Sequence, residues 1–435
     1  MTDASNSGLA RAATSRREML AAGGALMTGM LASGAVSVSA QVATTSIRPF
    51  RVAIPQGDLD DLRRRLAATR WPEPSTQAGW AEGPPLERLS RLVDYWRDGY
   101  DWRAFEARIN AFPQFLAEID GLDFHFLHVR SPHPDALPIV LTHGWPGSVA
   151  EFLKVIGPLA DPVAHGGRAA DAFHVVVPSL PGYGFSGKPT APGWDAKRVA
   201  KAWITLMDSL GYRRWVAQGG DWGAIVTTLM AQERPQGLDA IHLNLPVAVP
   251  AVLAPNSPDA REREAVAALQ RFTTDGWGYR IQATRPQTIG YSLADSPVGL
   301  AGWIYEKFQS WTDNDGDPET ALTRDEMLDD ISLYWLTNTA ASAARFYREN
   351  AEYGMNLGVV DLPVGVSIFP GEIFRTPRSW AEKVYPKLVH WNELDRGGHF
   401  AALEQPALFV EELRACFRDV RSRAPGNATG ERPGT

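Results

Sequence analysis

The sequence predicts an α/β fold in which a mostly parallel, doubly wound sheet is covered by helices on both faces. From residue 136 onward, short β-branched runs alternate with helical stretches, which is typical of parallel sheets. Helical periods alone fill residues 246–357. The segment before residue 136 does not show this alternation of β-branched runs and helical stretches. The chain of 435 residues is long enough for two or three structural units.

We therefore expect an N-terminal extension domain over residues 41–135 and a core in two parts, 136–245 and 358–423. An inserted helical lid is expected over residues 246–357, and a polar tail over 424–435. Buried strands of the core are predicted at 138–142, 173–177, 215–218, 241–244, 364–369 and 388–391.

Periodicity places further elements outside the core sheet. Leu59, Leu62 and Leu66 share one face of a predicted helix over residues 54–71, because residues three and four apart lie on the same side of a helix. Residues 123–129 alternate as a half-exposed strand does. Further helices are predicted at 86–108, 261–272 and 325–347.

The composition is that of an ordinary globular protein, with 44% hydrophobic and 21% charged residues. The net charge of -7 provides no basic field for nucleic acid, so no nucleic-acid partner is expected. The single cysteine, Cys416, excludes an intramolecular disulfide and is interpreted as a buried apolar side chain. Fifteen tryptophans favour a large apolar pocket.

Residues 1–40 resemble a twin-arginine export signal. The pair Arg16 and Arg17 precedes a weakly apolar run that ends in Val38-Ser39-Ala40, a small-residue cleavage pattern. The run is too poor in strongly apolar residues for a convincing spanning helix. We expect a periplasmic or secreted protein with no stable membrane insertion after signal removal. The alternatives are an uncleaved anchor and a start site placed too far upstream.

The strongest chemical signal is Gly219-Gly220-Asp221-Trp222-Gly223, where a predicted strand gives way to a helix. Small residues two before and two after a nucleophile allow the tight strand-to-helix turn called the nucleophile elbow. With Asp at the elbow, attack through oxygen leaves an alkyl ester, which suits epoxides and alkyl halides. The alternative is a glycine-rich turn in which Asp221 caps the helix.

A second motif, His143-Gly144-Trp145-Pro146-Gly147, follows the first core strand. The backbone N–H groups of Trp145 and Trp222 are expected to form an oxyanion hole around the carboxylate of Asp221. We interpret His143 as a structural hydrogen-bonding residue.

His399, in the loop after the last strand, is the expected general base. The chain order of nucleophile, acid and histidine is that of an α/β-hydrolase. Glu372 follows the strand at 364–369 and is favoured as the orienting acid over Asp361, Asp395 and Glu404. His125 and His128 would point to opposite faces of a strand, so no metal site is expected there.

The segments HGWPGS, GGDWGA and GGHFAALEQP, in this order, resemble the microsomal-type epoxide hydrolases, including the juvenile-hormone epoxide hydrolases. The likeness extends from about residue 48 to 418 and includes the N-terminal domain. It implies that Tyr279 and Tyr347 of the lid bind the epoxide oxygen, and it supports Glu372 as the acid. The export signal departs from the membrane anchor of animal members.

These features together predict an epoxide hydrolase that converts an epoxide and water into a vicinal diol through an ester on Asp221. An apolar or aromatic epoxide is the expected substrate, and no cofactor or metal is required. The alternatives are a haloalkane dehalogenase, which also forms an alkyl ester, and a non-catalytic ligand-binding homologue. Oligomeric state cannot be read from the sequence.

Overall fold

Nine strands form a single sheet within the described part of the chain. The protein is represented by a computed structural model that describes residues 45–276, 278–351, 353 and 357–422; the predicted signal and tail lie outside these residues. The strands are β1 Ile47–Phe50, β2 Gln114–Ile119, β3 Leu122–Val129, β4 Leu137–Thr142, β5 Phe173–Pro178, β6 Trp215–Gly219, β7 Leu238–Leu243, β8 Val364–Ile368 and β9 Leu388–Glu393.

The strand order is β1-β2-β3-β5-β4-β6-β7-β8-β9. From β5 to β9 neighbouring strands are parallel, whereas β1, β2 and β3 form an antiparallel ribbon that joins β5 at the register Phe126 to Pro178. The predicted mostly parallel sheet is confirmed. Strands β1, β2 and β3, which belong to the expected N-terminal domain, extend this same sheet.

The central strands position the site. In the parallel pair β4 and β6, Thr142 lies opposite Gly219, so the two strands end side by side. The loop that follows β4 and the turn that follows β6 therefore meet at one edge of the sheet, as expected for the carboxyl ends of parallel strands.

Helices precede, cover and interrupt the sheet. Before the core lie α1 Gln56–Ala67, α2 Leu86–Asp98 and α3 Trp102–Ile109. The core contains α4 Leu153–Ala160, α5 Ala196–Ser209, α6 Trp222–Glu233, α13 Arg378–Val384, α14 Ala401–Glu404, α15 Pro406–Cys416 and α16 Arg418–Ser422. The lid contains α7 Ala260–Asp275, α8 Ile281–Thr284, α9 Pro286–Asp295, α10 Pro297–Trp311, α11 Arg324–Leu336 and α12 Ala340–Glu349.

Two predicted helices are each divided into two. The helix expected over 86–108 breaks after Asp98, and Asp101 caps the new helix by accepting a hydrogen bond from the N–H of Arg103. The helix expected over 325–347 breaks at Asn338, which has a left-handed φ of 50° that an α-helix cannot include. Amphipathic periodicity continued across both breaks and concealed them. Strands β1 and β2 were not predicted.

The apolar patterns themselves are confirmed. Leu59, Leu62 and Leu66 are buried on one face of α1, and Cys416 is buried in α15. No helix within the described ranges is both long and apolar enough to cross a membrane.

Polar contacts join the N-terminal helices to the lid. The indole N–H of Trp96 donates to Ser332 Oγ at 2.8 Å, and the hydroxyl of Tyr100 donates to Asp329 Oδ1 at 2.9 Å. Trp96 and Tyr100 are buried. Because both partners lie on α11, the N-terminal segment holds this lid helix in place over the sheet.

Candidate active site

The turn after β6 places Asp221 in a strained backbone conformation. Its φ is 49° and its ψ is -127°, outside the regions that L-residues prefer. A Cβ at Gly219 would collide with the carbonyl of Gly223, and one at Gly223 would collide with the carbonyl of Thr142. Asp221 makes no side-chain capping bond to α6. The carboxyl instead points toward the loop after β4, as a nucleophile elbow requires.

The loop after β4 supplies a hydrogen-bond donor to one carboxylate oxygen. The backbone N–H of Trp145 donates to Asp221 Oδ1 at 2.8 Å. A Cβ at Gly144 would collide with the same oxygen, so only glycine permits this approach. Burial raises the pKa of Asp221 above its ordinary value, while His399 and the N–H groups of Trp145 and Trp222 oppose the rise.

Neighbouring side chains fix the shape of that loop. His143 Nδ1 donates to the carbonyl of Gly144 at 2.9 Å, and its Nε2 accepts from the N–H of Leu180 at 3.1 Å. These contacts agree with a structural role for His143. From the lid, the hydroxyl of Tyr334 donates to the carbonyl of Gly147 at 2.8 Å.

His399 lies between Asp221, the expected nucleophile, and Glu372, the expected orienting acid. Its Nε2 is 3.6 Å from Asp221 Oδ2, and its Nδ1 is 2.6 Å from Glu372 Oε1. The side chain of His399 is only 4% exposed and that of Glu372 only 1%. Burial on its own lowers the pKa of His399, but Glu372, Asp221 and Glu151 together raise it to about 9. The imidazole is therefore protonated at neutral pH.

The loops that carry Glu372 and His399 are joined by their backbones. The N–H of Gly371 donates to the carbonyl of Gly397 at 2.9 Å, and the N–H of His399 donates to the carbonyl of Trp311 at 2.8 Å. The lid helix α10, which ends at Trp311, thus helps to position the imidazole.

The three rival acids lie elsewhere. Asp361 pairs with Arg234 and Lys387, and Asp395 is exposed. The carboxylate of Glu404 accepts hydrogen bonds from the backbone N–H groups of Asp313 and Phe400. The structure thus brings together His399 and Glu372, the acid that the sequence favoured.

The two lid tyrosines meet above the elbow. The hydroxyl of Tyr279 donates to that of Tyr347. The ring of Tyr279 packs 5.3 Å from that of Trp145, and the ring of Tyr347 packs 4.8 Å from that of Trp222. Burial, with the charge of Asp221, raises the pKa of both hydroxyls well above the ordinary value. Both hydroxyls therefore stay protonated and can donate hydrogen bonds.

A pocket of about 200 Å³ adjoins Tyr279. The apolar and aromatic side chains of its lining, Phe272, Trp311 and Ile373, are accompanied by the charged Arg271, Asp275, Glu306 and Lys307. Lys307 Nζ lies 5.4 Å from the ring centres of both Tyr279 and Trp311, within the range of cation–π attraction.

Sequence reasoning missed several residues that line or support the site, among them Glu151, Lys307 and Trp311. Glu151 had a usable signal, because Ser148-Val149-Ala150-Glu151 has the spacing of a capping box directly after the oxyanion motif. Lys307 and Trp311 lie on α10. The sequence does not indicate which side of this helix contacts the site, because that depends on how α10 packs against the rest of the protein.

Comparison with known proteins agrees with this geometry. The family described as "Epoxide hydrolase N terminus" matches residues 47–152, and that described as "alpha/beta hydrolase fold" matches residues 138–410. A sequence from Stigmatella aurantiaca, provisionally named an epoxide hydrolase, is 62% identical over 378 residues, which are 87% of this chain and 86% of that protein.

Solved structures of epoxide hydrolases are also similar to this chain. The epoxide hydrolase of Aspergillus niger is 37% identical with a TM-score of 0.77, covering 87% of this chain and 97% of its own. The juvenile hormone epoxide hydrolase of the silkworm Bombyx mori is 30% identical with a TM-score of 0.79, covering 87% and 95%. The chain belongs to the epoxide hydrolase family and has the α/β-hydrolase fold.

Proposed function

We propose that this protein hydrolyses an epoxide to a vicinal diol through a covalent ester on Asp221. The observation that carries the proposal is that the two carboxylate oxygens of Asp221 have different neighbours. Oδ1 accepts the hydrogen bond from Trp145, whereas Oδ2 faces His399 at 3.6 Å. One oxygen is thus held for stabilisation of negative charge, and the other is free to attack carbon.

The first step opens the ring. Asp221 Oδ2 forms a bond to the less hindered epoxide carbon, and the ring C–O bond breaks with its electron pair kept by oxygen. Tyr279 and Tyr347 donate hydrogen bonds to that oxygen, and one of them supplies the proton that makes it a hydroxyl. Donors aimed at a developing oxyanion stabilise the transition state most strongly where water is excluded.

The second step hydrolyses the ester. Alkylation removes the charge of Asp221, one of the groups that raise the pKa of His399, so the imidazole can release its proton to solvent and then act as a base. His399 takes a proton from water, and the hydroxide attacks the carboxyl carbon. The tetrahedral oxyanion is held by the N–H groups of Trp145 and Trp222.

Collapse of this intermediate completes the turnover. The ester C–O bond breaks, and the leaving oxygen takes a proton from His399, so the diol is released. The regenerated Asp221 carboxyl ionises, and its proton replaces the one that the tyrosine gave up. His399, again beside a charged Asp221, takes a proton back from solvent. Glu372 keeps the imidazole oriented and stabilises its positive charge.

The paired phenols distinguish this proposal from a haloalkane dehalogenase. Halide release requires donors to a departing halide ion, whereas ring opening requires a proton for an oxygen that stays on the product. The hydroxyls of Tyr279 and Tyr347 meet in one hydrogen bond above Asp221, which is an arrangement that serves a single oxygen. A non-catalytic role would leave the strained turn at Asp221 unexplained.

We also propose that the protein is exported through the twin-arginine-like segment over residues 1–40, on the sequence pattern alone. Cell fractionation of the full chain against an Arg16→Lys, Arg17→Lys double variant would test this. Equal distribution of the two proteins between compartments would contradict it.

Substitution of the nucleophile tests the function directly. Asp221→Ala removes the oxygen that attacks carbon, so diol formation should fall at least about a thousandfold. Wild type and variant would be assayed for diol with styrene-like, terpene-like and fatty epoxides. Asp208→Ala, at a side chain that is 68% exposed, is the matched control. Diol production by Asp221→Ala at the control's rate would refute the proposal.

Removal of the phenol hydroxyls should affect epoxides selectively. Tyr279→Phe and Tyr347→Phe should each slow ring opening by about a hundredfold, because each removes a donor to the developing oxyanion. The double variant should be slower still, and Tyr291→Phe, on an exposed side chain of α9, should not differ from wild type. Single-turnover rates with an epoxide and with an alkyl halide would be compared. Epoxide opening at the wild-type rate in both variants would contradict the role of the phenols, and an unchanged rate with the alkyl halide would then favour the dehalogenase.

The pH dependence of ester hydrolysis measures the pKa of the general base. The rate should rise with pH through the pKa of His399 in the ester, which lies below the value of about 9 in the free protein. Glu372→Gln removes a carboxylate that raises this pKa, so the midpoint should move to lower pH by about one to three units. Asp395→Asn, at an exposed position, should leave the midpoint in place. An unmoved midpoint in Glu372→Gln would show that another acid serves His399.

A further inference from the structure

A small cavity lies beside the nucleophile and the catalytic base. It measures about 20 Å³ and is lined by Glu151, Asp221 and His399, together with Thr142 and Gln218. A site of this size holds one water molecule, provided that polar groups surround it. Thr142 Oγ1 and Gln218 Oε1 are buried and have no hydrogen-bond partner within the described part of the chain. The cavity therefore has the size and the polar lining of a one-water site.

Glu151 is held firmly against this cavity. It belongs to the 3-10 turn Val149–Phe152, which Ser148 caps by accepting the N–H of Ala150. A Cβ at Gly147 would collide with Glu151 Oε1, so the carboxyl occupies the space that a side chain at Gly147 would need. Since Gly147 lies two residues after Trp145, the same short loop carries both the oxyanion donor and the carboxyl.

We propose that Glu151 and His399 together hold the water that attacks the Asp221 ester, with Glu151 as a positioning residue for the second step alone. The inference rests on the proposed covalent route. During attack the water gives one proton to His399 and keeps the other in a hydrogen bond to the Glu151 carboxyl, which is unchanged at the end of the step.

The electrostatics of Glu151 suit this role. Burial, with the nearby acids Asp330 and Asp221, raises the pKa of Glu151 well above its ordinary value. A carboxyl with a raised pKa places less negative charge beside a developing oxyanion, whose formation a full carboxylate would oppose. Asp330, another buried acid nearby, accepts a hydrogen bond from Ser148 Oγ at 2.6 Å and does not line the cavity.

Glu151 could instead have a purely structural role as part of a helix cap. Ser148 and Glu151 have the spacing of a capping box, and the backbone of Ser148 contributes to the environment of the Glu151 carboxyl. Loss of a cap would disturb the loop that bears Trp145, and so would slow both chemical steps. A positioning role predicts that only the second step slows.

Transient kinetics separate the two explanations. With styrene oxide as the probe, rapid quenching and intact-protein mass spectrometry would follow the ester on Asp221. In Glu151→Met, which has no acceptor for water, ester formation should stay within about twofold of wild type, while hydrolysis slows about a hundredfold. Glu151→Gln keeps an oxygen for the cap but turns its NH₂ toward the cavity, and should slow hydrolysis about tenfold. In both variants the ester should accumulate.

Glu326→Gln is the matched control, because Glu326 forms a capping box with Thr323 at the start of α11 and does not line the cavity. Both steps should match wild type. Wild-type hydrolysis in Glu151→Gln, or equal slowing of both steps in Glu151→Met, would overturn the inference. His399→Gln separates this failure from that of the covalent route. If His399→Gln accumulates the ester and neither Glu151 variant does, only the role of Glu151 is wrong; if His399→Gln forms no ester, the covalent route itself is wrong.

Discussion

The hydrogen bond from the Trp145 backbone to Asp221 Oδ1 is the interaction on which the site depends. It makes the two oxygens of one carboxylate chemically different, because Oδ1 is held and Oδ2 is left facing His399. The bond requires a strained turn at Asp221 and the absence of a side chain at Gly144. Backbone donors suit this purpose because they are fixed by the fold and need no reorganisation during the reaction.

Charge balance is the second constraint. Glu372 and Asp221 contact the same imidazole and are the main groups that raise its pKa to about 9, so the resting site pairs an imidazolium with these two acids. A protonated His399 cannot be a base, yet ring opening turns Asp221 into a neutral ester. The first step thus prepares the second, since the loss of one negative charge lets the imidazole release its proton.

The lid contributes more than a cover. Its helices supply Tyr279 and Tyr347, hold the backbone of His399 through Trp311, and reach the oxyanion loop through Tyr334. The N-terminal helices in turn hold α11 through Trp96 and Tyr100. The site is therefore assembled from segments far apart in sequence, and its precision depends on packing between them.

The way the site is assembled explains which of its residues could be predicted from the sequence. The elbow, the oxyanion loop and the histidine loop are local motifs at strand ends, so their residues could be identified from spacing and turn chemistry. The tyrosines lie on a lid without such motifs and required resemblance to a family. Glu151 was overlooked because its importance comes from a cavity, and the helix breaks at Asp101 and Asn338 were concealed by continuing periodicity.

The origin of the new diol oxygen tests the covalent route most directly. In a single turnover with enzyme in excess in heavy-oxygen water, the first diol should contain unlabelled oxygen, because that atom comes from Asp221 Oδ2. The label should enter the Asp221 carboxyl and be found in the peptide that contains it. Label in the diol on the first turnover, with none in Asp221, would show direct attack by water and contradict the covalent ester.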